Sequence, residues 1–150
     1  MGRSQPIVFV LWSHHFEEAP AVIFVSELRQ AGLCVKVVSL QGRPMAGIHG
    51  LALVSDMTLG QALPLAGKAS CVVMPCTTRQ VTQLRSDPRL TDFFQQTAAN
   101  HALFVIGQDQ SGIDDATQHA LTAWGQVIRY PTVETLVLFV RELVNELAQR

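Results

Sequence analysis

The sequence predicts a single α/β domain over residues 1–150, a three-layer sandwich in which a mostly parallel sheet is covered by helices on both faces. Short apolar runs alternate with longer segments of helical periodicity, which is typical of strand–helix–strand units. The apolar runs are continuous, as expected for parallel strands that are covered on both sides. The chain is 48% hydrophobic and 15% charged, which excludes an intrinsically disordered chain. A chain of this length and composition can bury one hydrophobic core.

Five short apolar runs are predicted as strands. They are Ile7–Trp12, Cys34–Leu40, Ser70–Met74, Ala102–Ile106 and Gln126–Tyr130. Because the first four are almost entirely apolar, we expect them to share one parallel sheet. Turn residues follow the second run, and Gly47–Ser55 is then predicted as a weaker strand or a hairpin excursion.

Five segments have the apolar spacing of helices. The first ends at Gly32, and the third places Pro88 in its first turn after a cap at Ser86 or Asp87. The last has a wide apolar stripe that indicates a buried face. The predicted helices cover Glu17–Ala31, Thr78–Arg85, Pro88–Ala99, a segment from Ser111 or Asp114 to Trp124, and Val133–Ala148.

Charge and cysteine content exclude several classes of partner. Eleven Lys and Arg against twelve Asp and Glu give a net charge of −1, so nucleic acid is not an expected partner. No apolar run approaches the roughly eighteen residues of a membrane span, and the first residues lack a signal-peptide cleavage site. Three cysteines without metal-ligand spacing predict a cytoplasmic protein with reduced thiols, in which Cys34 and Cys71 pack in the core. Neither a metal nor a cofactor is expected.

Most of the polar chemistry lies where three predicted strands end. The carboxyl ends of parallel strands meet at one edge of the sheet, and ligands bind in the crevice beyond it. We therefore expect a small-molecule ligand at this edge. The candidate cleft residues are His14, His15, Glu17 and Glu18 after Ile7–Trp12, Cys76 and Thr77 after Ser70–Met74, and Gly107 and Gln108 after Ala102–Ile106.

The order and spacing of several segments match those of a known family. An acidic pair stands in Phe16-Glu17-Glu18, and the first helix ends in Leu28-Arg-Gln-Ala-Gly32. Further on come Leu53-Val-Ser-Asp56-Met-Thr-Leu59 and Ser70-Cys-Val-Val-Met-Pro75. Over residues 7 to about 107 the chain thus resembles the ThiJ/PfpI superfamily, which is related to the class I glutamine amidotransferase fold. The resemblance implies a flavodoxin-like fold.

The resemblance also implies a catalytic arrangement that this chain lacks. Members use a cysteine on a strand-to-helix elbow, a glutamate at the start of the first helix, backbone N–H groups after a Pro-Gly-Gly turn, and often a histidine. Carried over by position, the glutamate falls on Pro20 and the cysteine on Gly107, where glycine is expected to keep the shape of a sharp turn, since it tolerates left-handed backbone angles. Pro75-Cys76-Thr77 replaces Pro-Gly-Gly, and the segment with the histidine is absent. We therefore expect a truncated, catalytically degenerate member with a binding or regulatory role.

An enzyme of the same superfamily is the alternative. Cys76 follows a predicted strand and precedes a helix, whose N-terminus would stabilise a thiolate. With His14 or His15, and Glu18, it would form a cysteine-dependent hydrolase, a glyoxalase or deglycase, or a redox sensor. The plainer interpretation of Cys76 is a small residue buried in place of a turn glycine.

The other polar residues also have two interpretations. His14 and His15 with Glu17 or Glu18 have the chemistry of a transition-metal site. However, adjacent residues on an extended loop point apart, which favours polar loop residues instead. Glu17 and Glu18 either interact with the helix dipole at its N-terminus or contact a ligand.

A homodimer is expected because a domain of this size can hardly bury so many apolar residues within one copy of the chain. Its charged fraction is 15%, against about 25% in typical globular proteins. Large exposed apolar patches mark interfaces, and the family resemblance implies a two-fold dimer. The candidate surfaces are Pro20–Gln30 in the first helix, and the last helix through Leu138 and Phe139.

Overall fold

Six parallel strands form one sheet in a computed structural model that describes residues 5–41, 44–108 and 125–150. The strand order is β3-β2-β1-β4-β5-β6. The strands are β1 (Ile7–Trp12), β2 (Cys34–Ser39), β3 (Met57–Thr58), β4 (Ala69–Met74), β5 (Leu103–Gly107) and β6 (Val127–Tyr130). The predicted α/β architecture is confirmed, and the four long apolar runs do share the parallel sheet.

Helices cover both faces of this sheet. The helices are α1 (Glu18–Gln30), α2 (Leu59–Ala62), α3 (Thr78–Gln83), α4 (Pro88–Ala99) and α5 (Val133–Ala148), with short 3₁₀ segments at Leu63–Lys68 and Leu84–Ser86. Asp87 caps α4 by accepting a hydrogen bond from the Arg89 N–H, and Pro88 stands in its first turn as predicted. The predicted helix from Ser111 or Asp114 to Trp124 lies outside the described residues.

The two faces of β1 enter two separate apolar clusters. Phe9 and Leu11 pack on the side of α4, where the rings of Phe9 and Phe93 meet edge to face at 5.4 Å. Val8 and Val10 pack on the other side, against α1 and α5. All six residues of β1 are buried, which explains why this strand reads as a continuous apolar run.

The cysteines lie in or beside these clusters. Cys71 is fully buried on β4, as expected, and burial raises the pKa of its thiol to about 12. Cys34 is half-buried at the start of β2 and packs against the edge of the core. Both are free thiols, which agrees with their predicted packing role.

The segment between β2 and α2 takes the second of its two predicted forms. Gly47–Ser55 lies in an excursion closed by an isolated antiparallel bridge between Ala46 and Ala52, not in a strand of the sheet. The two-residue strand β3 follows it, inside the Leu53–Leu59 segment that matches the family. Asp56 fixes this segment to β2, because its carboxylate accepts hydrogen bonds from the Val37 N–H at 2.7 Å and from Arg29 at 2.8 Å.

The order of strands along the sheet reverses direction between the neighbouring strands β1 and β4. The chain first builds outward from β1 to β3, then returns to β4 and builds outward on the other side. Such a switch point opens a crevice between the loops at the carboxyl ends of the two central strands. Within the described parts of the chain, no helix has the length and apolar character needed to span a membrane.

Candidate functional site

The loops after β1, β4 and β5 are hydrogen-bonded to one another beside the switch point. The Glu17 N–H donates to the Pro75 carbonyl oxygen at 2.7 Å. The Gly107 N–H donates to the Cys76 carbonyl oxygen at 2.8 Å. These two hydrogen bonds hold the ends of the three strands together as one unit.

Gly107 is buried and has no room for a side chain. A Cβ built on it would stand 2.7 Å from the Cys76 carbonyl oxygen and 2.9 Å from the Tyr130 hydroxyl. Both distances are shorter than real Cβ contacts, and the first is to backbone, which cannot move away cheaply. Gly107 is the last residue of β5, and its φ is not positive, so the left-handed backbone angles that glycine tolerates are not used here. Glycine is needed at this position because the Cys76 carbonyl group and the Tyr130 side chain lie too close for a Cβ.

Tyr130 fills the space in front of Gly107. It ends β6 and pairs in register with Gly107, and its ring packs edge to face on Phe24 at 5.5 Å. Its hydroxyl is buried, makes no well-formed hydrogen bond with the described residues, and faces the Glu17 carboxylate. Burial first, and the nearby negative charge of Glu17 second, hold the pKa of this hydroxyl well above its usual range.

Glu17 is half-buried at the N-terminus of α1. It occupies the cap position, but its side chain makes no capping hydrogen bond. Burial raises the pKa of the carboxyl group, and its interaction with the Tyr130 hydroxyl lowers it by less. The side chain is therefore directed toward Tyr130 rather than onto the helix terminus. We call Glu17, Cys76, Gly107 and Tyr130 the strand-end cluster.

Cys76 is the completely buried member of this cluster. Burial first, and the negative charge of Glu17 second, raise the pKa of its thiol well above the ordinary value. Reactive cysteines have the opposite environment, which is accessible and electropositive. The thiol at this position is therefore held in its protonated form.

The two histidines lie on the surface of the loop after β1. His14 and His15 are exposed, with ring centroids 6.3 Å apart. His15 has a φ of 64°, and its carbonyl oxygen accepts a hydrogen bond from Gln80 at 2.6 Å. Neither imidazole hydrogen-bonds to Cys76. Among the described residues, no group of three or more His, Cys, Asp or Glu side chains is placed to hold a metal ion.

Glu18 is turned away from the strand-end cluster. The side chain is buried, with 6% of its surface exposed, and Oε2 accepts hydrogen bonds from the backbone N–H groups of His49 at 2.7 Å and Leu51 at 3.1 Å. A Cβ on Gly47 would stand 2.5 Å from its Cδ, so this position needs glycine. Burial raises the pKa of Glu18, but the bonds from Leu51 and His49 lower it more, and the net shift is downward.

The remaining candidates lie at the entrance to α3 and the end of β5. Thr77 is half-buried, and its backbone N–H donates to the Gln80 side chain at 2.9 Å. Gln108 is exposed. Of the candidate residues, the structure thus brings together Glu17, Cys76 and Gly107. Tyr130 also lies in this group. From the sequence it was predicted only as the last residue of a strand.

We predict that Gly107→Ala lowers the free energy of unfolding by about 1–3 kcal/mol, because the new methyl group must displace a carbonyl group or the Tyr130 ring. Gly67→Ala is the matched control, since nothing lies within 4 Å of a Cβ there. Urea denaturation of the three proteins measures the difference. Equal stability of the Gly107→Ala variant and the parent would show that β6 moves aside freely.

We predict that Glu18→Gln speeds hydrogen exchange at the amides of His49 and Leu51, because a neutral amide oxygen is a weaker acceptor than a carboxylate. The lowered pKa also gives the sign of the pH effect. The stability that Glu18 contributes is present above its unfolded value of 4.5 and is lost as the pH falls through its lower folded value.

The parent should therefore lose more stability on acidification than the Glu18→Gln variant does. Glu142→Gln, on the exposed side of α5, is the control and should exchange like the parent at His49 and Leu51. Amide exchange followed by NMR at several pH values separates the three proteins. Unchanged exchange at both amides in Glu18→Gln would show that other contacts hold the loop.

The family model described as the DJ-1/PfpI family matches residues 6–107. Among solved structures, Drosophila melanogaster DJ-1beta aligns with a TM-score of 0.76 and 16% identity, over 98% of this chain and 92% of that one. A cysteine-to-alanine mutant of a Salmonella typhimurium DJ-1 superfamily protein aligns with a TM-score of 0.74 and 18% identity, over 97% and 91%. At these identities the structural likeness shows the fold.

A third solved structure, titled a putative protease I from Bacteroides thetaiotaomicron, aligns with a TM-score of 0.71 and 12% identity, over 95% of this chain and 99% of that one. A sequence search of curated proteins gives no match. The family model covers more than half of the chain and ends at Gly107, the residue at the centre of the strand-end cluster. This chain belongs to the DJ-1/PfpI family.

Proposed function

We propose that this protein is a non-catalytic member of its family, with a binding or regulatory role. The observation that carries the proposal is the packing at Gly107. This residue stands where the family resemblance places the nucleophilic cysteine, and the space for a side chain is taken by the Cys76 carbonyl group and the Tyr130 hydroxyl. A nucleophile at this position would need both a different residue and a displaced β6.

The partner glutamate of the family arrangement also has no counterpart that faces Gly107. Its position is Pro20, which is buried in the first turns of α1. The neighbouring Glu18 carboxylate is bound to the 47–51 loop. Glu17 does reach the cluster, but there it faces a tyrosine hydroxyl instead of a thiol at residue 107.

The alternative, an enzyme or redox sensor that uses Cys76, meets an electrostatic obstacle. Nucleophilic cysteines react as thiolates. At Cys76 complete burial and the nearby Glu17 carboxylate both disfavour the thiolate. The histidines that would assist it are exposed on the loop outside.

Thiol labelling across pH, combined with activity assays, separates the two proposals. We expect Cys76 in the folded protein to react far more slowly than Cys34, which is half-buried at the sheet edge. We also expect no peptidase, glyoxalase or deglycase activity above background. Cys76→Ser and Cys34→Ser form a matched pair. Activity that disappears in Cys76→Ser but persists in Cys34→Ser would establish the enzyme instead.

We also propose a homodimer, formed through the N-terminal half of α1 and the 47–51 loop. Glu18 joins these two segments, and Val22, one turn further along α1, lies on the same helix face. Val22, Ile48 and Leu51 are large apolar residues with 46–57% of their surface exposed. Grouped apolar exposure of this kind is typical of an interface.

The α5 surface is the weaker candidate for this interface. Phe139 packs on Phe24 with ring centroids 6.4 Å apart and so belongs largely to the core. That leaves Leu138, 63% exposed, and Val133, 47% exposed and five residues earlier on the helix.

We also propose a cytoplasmic location, because the three free cysteines fit a reducing compartment.

Light scattering at micromolar concentration should report twice the chain mass of 16.4 kDa. Substituting Val22→Ser and Leu51→Ser together should give a monomer, because both remove apolar area from the proposed interface. Leu138→Ser is the control and should remain dimeric. A monomeric parent with no concentration dependence would overturn the proposal, and a monomeric Leu138→Ser variant would move the interface to α5.

A further inference from the structure

A second possible ligand site lies on the other side of β1 from Gly107. A cavity of about 340 Å³ opens at the carboxyl ends of β1, β2 and β3. Volumes of roughly 300–1,000 Å³ are usual for small-molecule pockets, and the carboxyl ends of parallel strands are where such pockets form in α/β proteins. The cavity shares no residue with the cluster of Glu17, Cys76, Gly107 and Tyr130, so what it binds is independent of whether the protein is an enzyme.

The walls of this cavity are fixed by hydrogen bonds. The Trp12 indole N–H donates to the Met45 carbonyl oxygen at 3.0 Å, which ties the far wall to β1. The Thr58 hydroxyl accepts from the Gln61 N–H as the cap of α2. The Asp56 N–H donates to the Val37 carbonyl oxygen at 2.8 Å. The cavity is therefore formed in the protein itself and does not need a ligand to shape it.

The described part of the lining favours a neutral ligand. Its residues include no acidic or basic side chain. Met45, Leu53 and Val54 contribute apolar walls, and Val54, at 94% exposure, is an unusually exposed valine at the rim. Because the N–H of Trp12 is already used, this residue presents only the apolar part of its ring to a ligand. A charged molecule would lose its hydration here without gaining a partner.

Two serines line the cavity, and Ser39 is the more buried of them. Ser39 ends β2 and has 8% of its surface exposed, whereas Ser55 is half-buried. The Ser39 hydroxyl makes no hydrogen bond with any of the described residues, in contrast to Thr58, whose hydroxyl caps α2. A ligand that offers a hydroxyl or carbonyl group to Ser39 would therefore gain a hydrogen bond that the protein does not already make.

The size of the cavity limits the ligand further. A dry protein cavity of about 150 Å³ accepts benzene. The cavity beside Ser39, at about 340 Å³, has room for a molecule about twice as large. This is less than a helix or a folded peptide segment needs, so the occupant is a small molecule.

We propose that the cavity between Trp12, Ser39 and Val54 binds a small, neutral, largely apolar molecule of two-ring size that carries one hydroxyl or carbonyl group. The apolar body lies against Trp12, Met45 and Leu53, and the polar group exchanges a hydrogen bond with the Ser39 hydroxyl. Charge on the molecule opposes binding.

Three probes of equal size test each part of this proposal with the full chain. 2-Naphthol carries a hydroxyl group, naphthalene carries none, and 2-naphthoate is charged at neutral pH. NMR titration of the nitrogen-labelled protein follows the amides of Ser39, Leu53, Val54 and Thr58. We expect 2-naphthol to shift these amides saturably, naphthalene to bind more weakly, and 2-naphthoate to bind at least about tenfold more weakly than 2-naphthol.

Substitutions then assign the contacts. Ser39→Ala should weaken 2-naphthol about 3- to 10-fold, the value of one net hydrogen bond, and leave naphthalene unchanged. Ser70→Ala, at the opposite end of the sheet on β4, is the matched control and should bind like the parent. Ala52→Phe places a ring in the cavity lining and should abolish binding of both neutral probes.

Each of several results would overturn the proposal. The cavity would not be a binding site if 2-naphthol left the four amides unshifted, or if the shifts persisted in a folded Ala52→Phe variant. Equal binding of 2-naphthoate would contradict the requirement for a neutral ligand. An equal loss for naphthalene and 2-naphthol in Ser39→Ala would remove the hydrogen bond from the argument. None of these results bears on the packing at Gly107.

Discussion

The contact of Gly107 with the Cys76 carbonyl group and the Tyr130 side chain is the constraint on which the strand-end cluster depends. The Gly107 N–H binds the β4 loop, and its register with Tyr130 aligns β6 at the edge of the sheet. Both contacts need a backbone without a Cβ, since a single added carbon would stand 2.7 Å from an oxygen. A position that could bear a reactive side chain is thus used to join three strands, and the same atoms cannot serve both purposes.

The electrostatics of the cluster follow from that packing. With β6 drawn against β5, the Tyr130 hydroxyl, the Cys76 thiol and the Glu17 carboxyl group share a space largely closed to water. Burial raises the pKa of all three groups, and Cys76 and Tyr130 each feel the negative charge of Glu17 as a further penalty on ionisation. Arg129 also reaches this part of the sheet, where its side chain donates a hydrogen bond to the Gly107 carbonyl oxygen at 3.1 Å. A catalytic thiolate needs a positive group or a helix terminus that lowers its pKa, whereas burial and Glu17 raise the pKa of the Cys76 thiol. This environment favours the protonated forms of the Cys76 thiol and the Tyr130 hydroxyl.

The sequence predicts the parts of the fold that depend on long runs of one periodicity. β1 and α5 are predicted to the residue because both have a continuous apolar pattern. β3 is too short, at two residues, to leave a pattern. The residues of the candidate site differ in the same way: some follow a pattern in the sequence, and others depend on contacts that no pattern shows. Glu17 and Cys76 could be found because they follow predicted strands. The role of Glu18 could not, since its partners are backbone N–H groups, which no side-chain pattern reveals. Tyr130 was missed because its role depends on the register of β6 against β5.

Glu18 connects the features that the sequence left unexplained. Its carboxylate holds the N–H groups of His49 and Leu51, the Ile48 N–H donates to the Phe16 carbonyl oxygen at 2.9 Å, and Trp12 binds the Met45 carbonyl oxygen. Together these bonds fix the part of the excursion from Met45 to Leu51 on the end of β1. The excursion then presents apolar side chains outward on its tip and encloses a cavity at its base. A buried carboxylate is costly unless it is hydrogen-bonded. Here Oε2 accepts both backbone N–H groups, while Oε1, which is also buried, has no hydrogen-bond partner among the described residues. Oε2 thus stabilises an irregular segment whose described residues contain one bridge of their own, between Ala46 and Ala52. On this side of β1 the fixed excursion leaves a cavity beyond the strand ends, whereas at Gly107 the space is filled by the Tyr130 side chain. The two halves of the sheet edge therefore differ: one is closed by packing, and the other has room for the ligand that we propose.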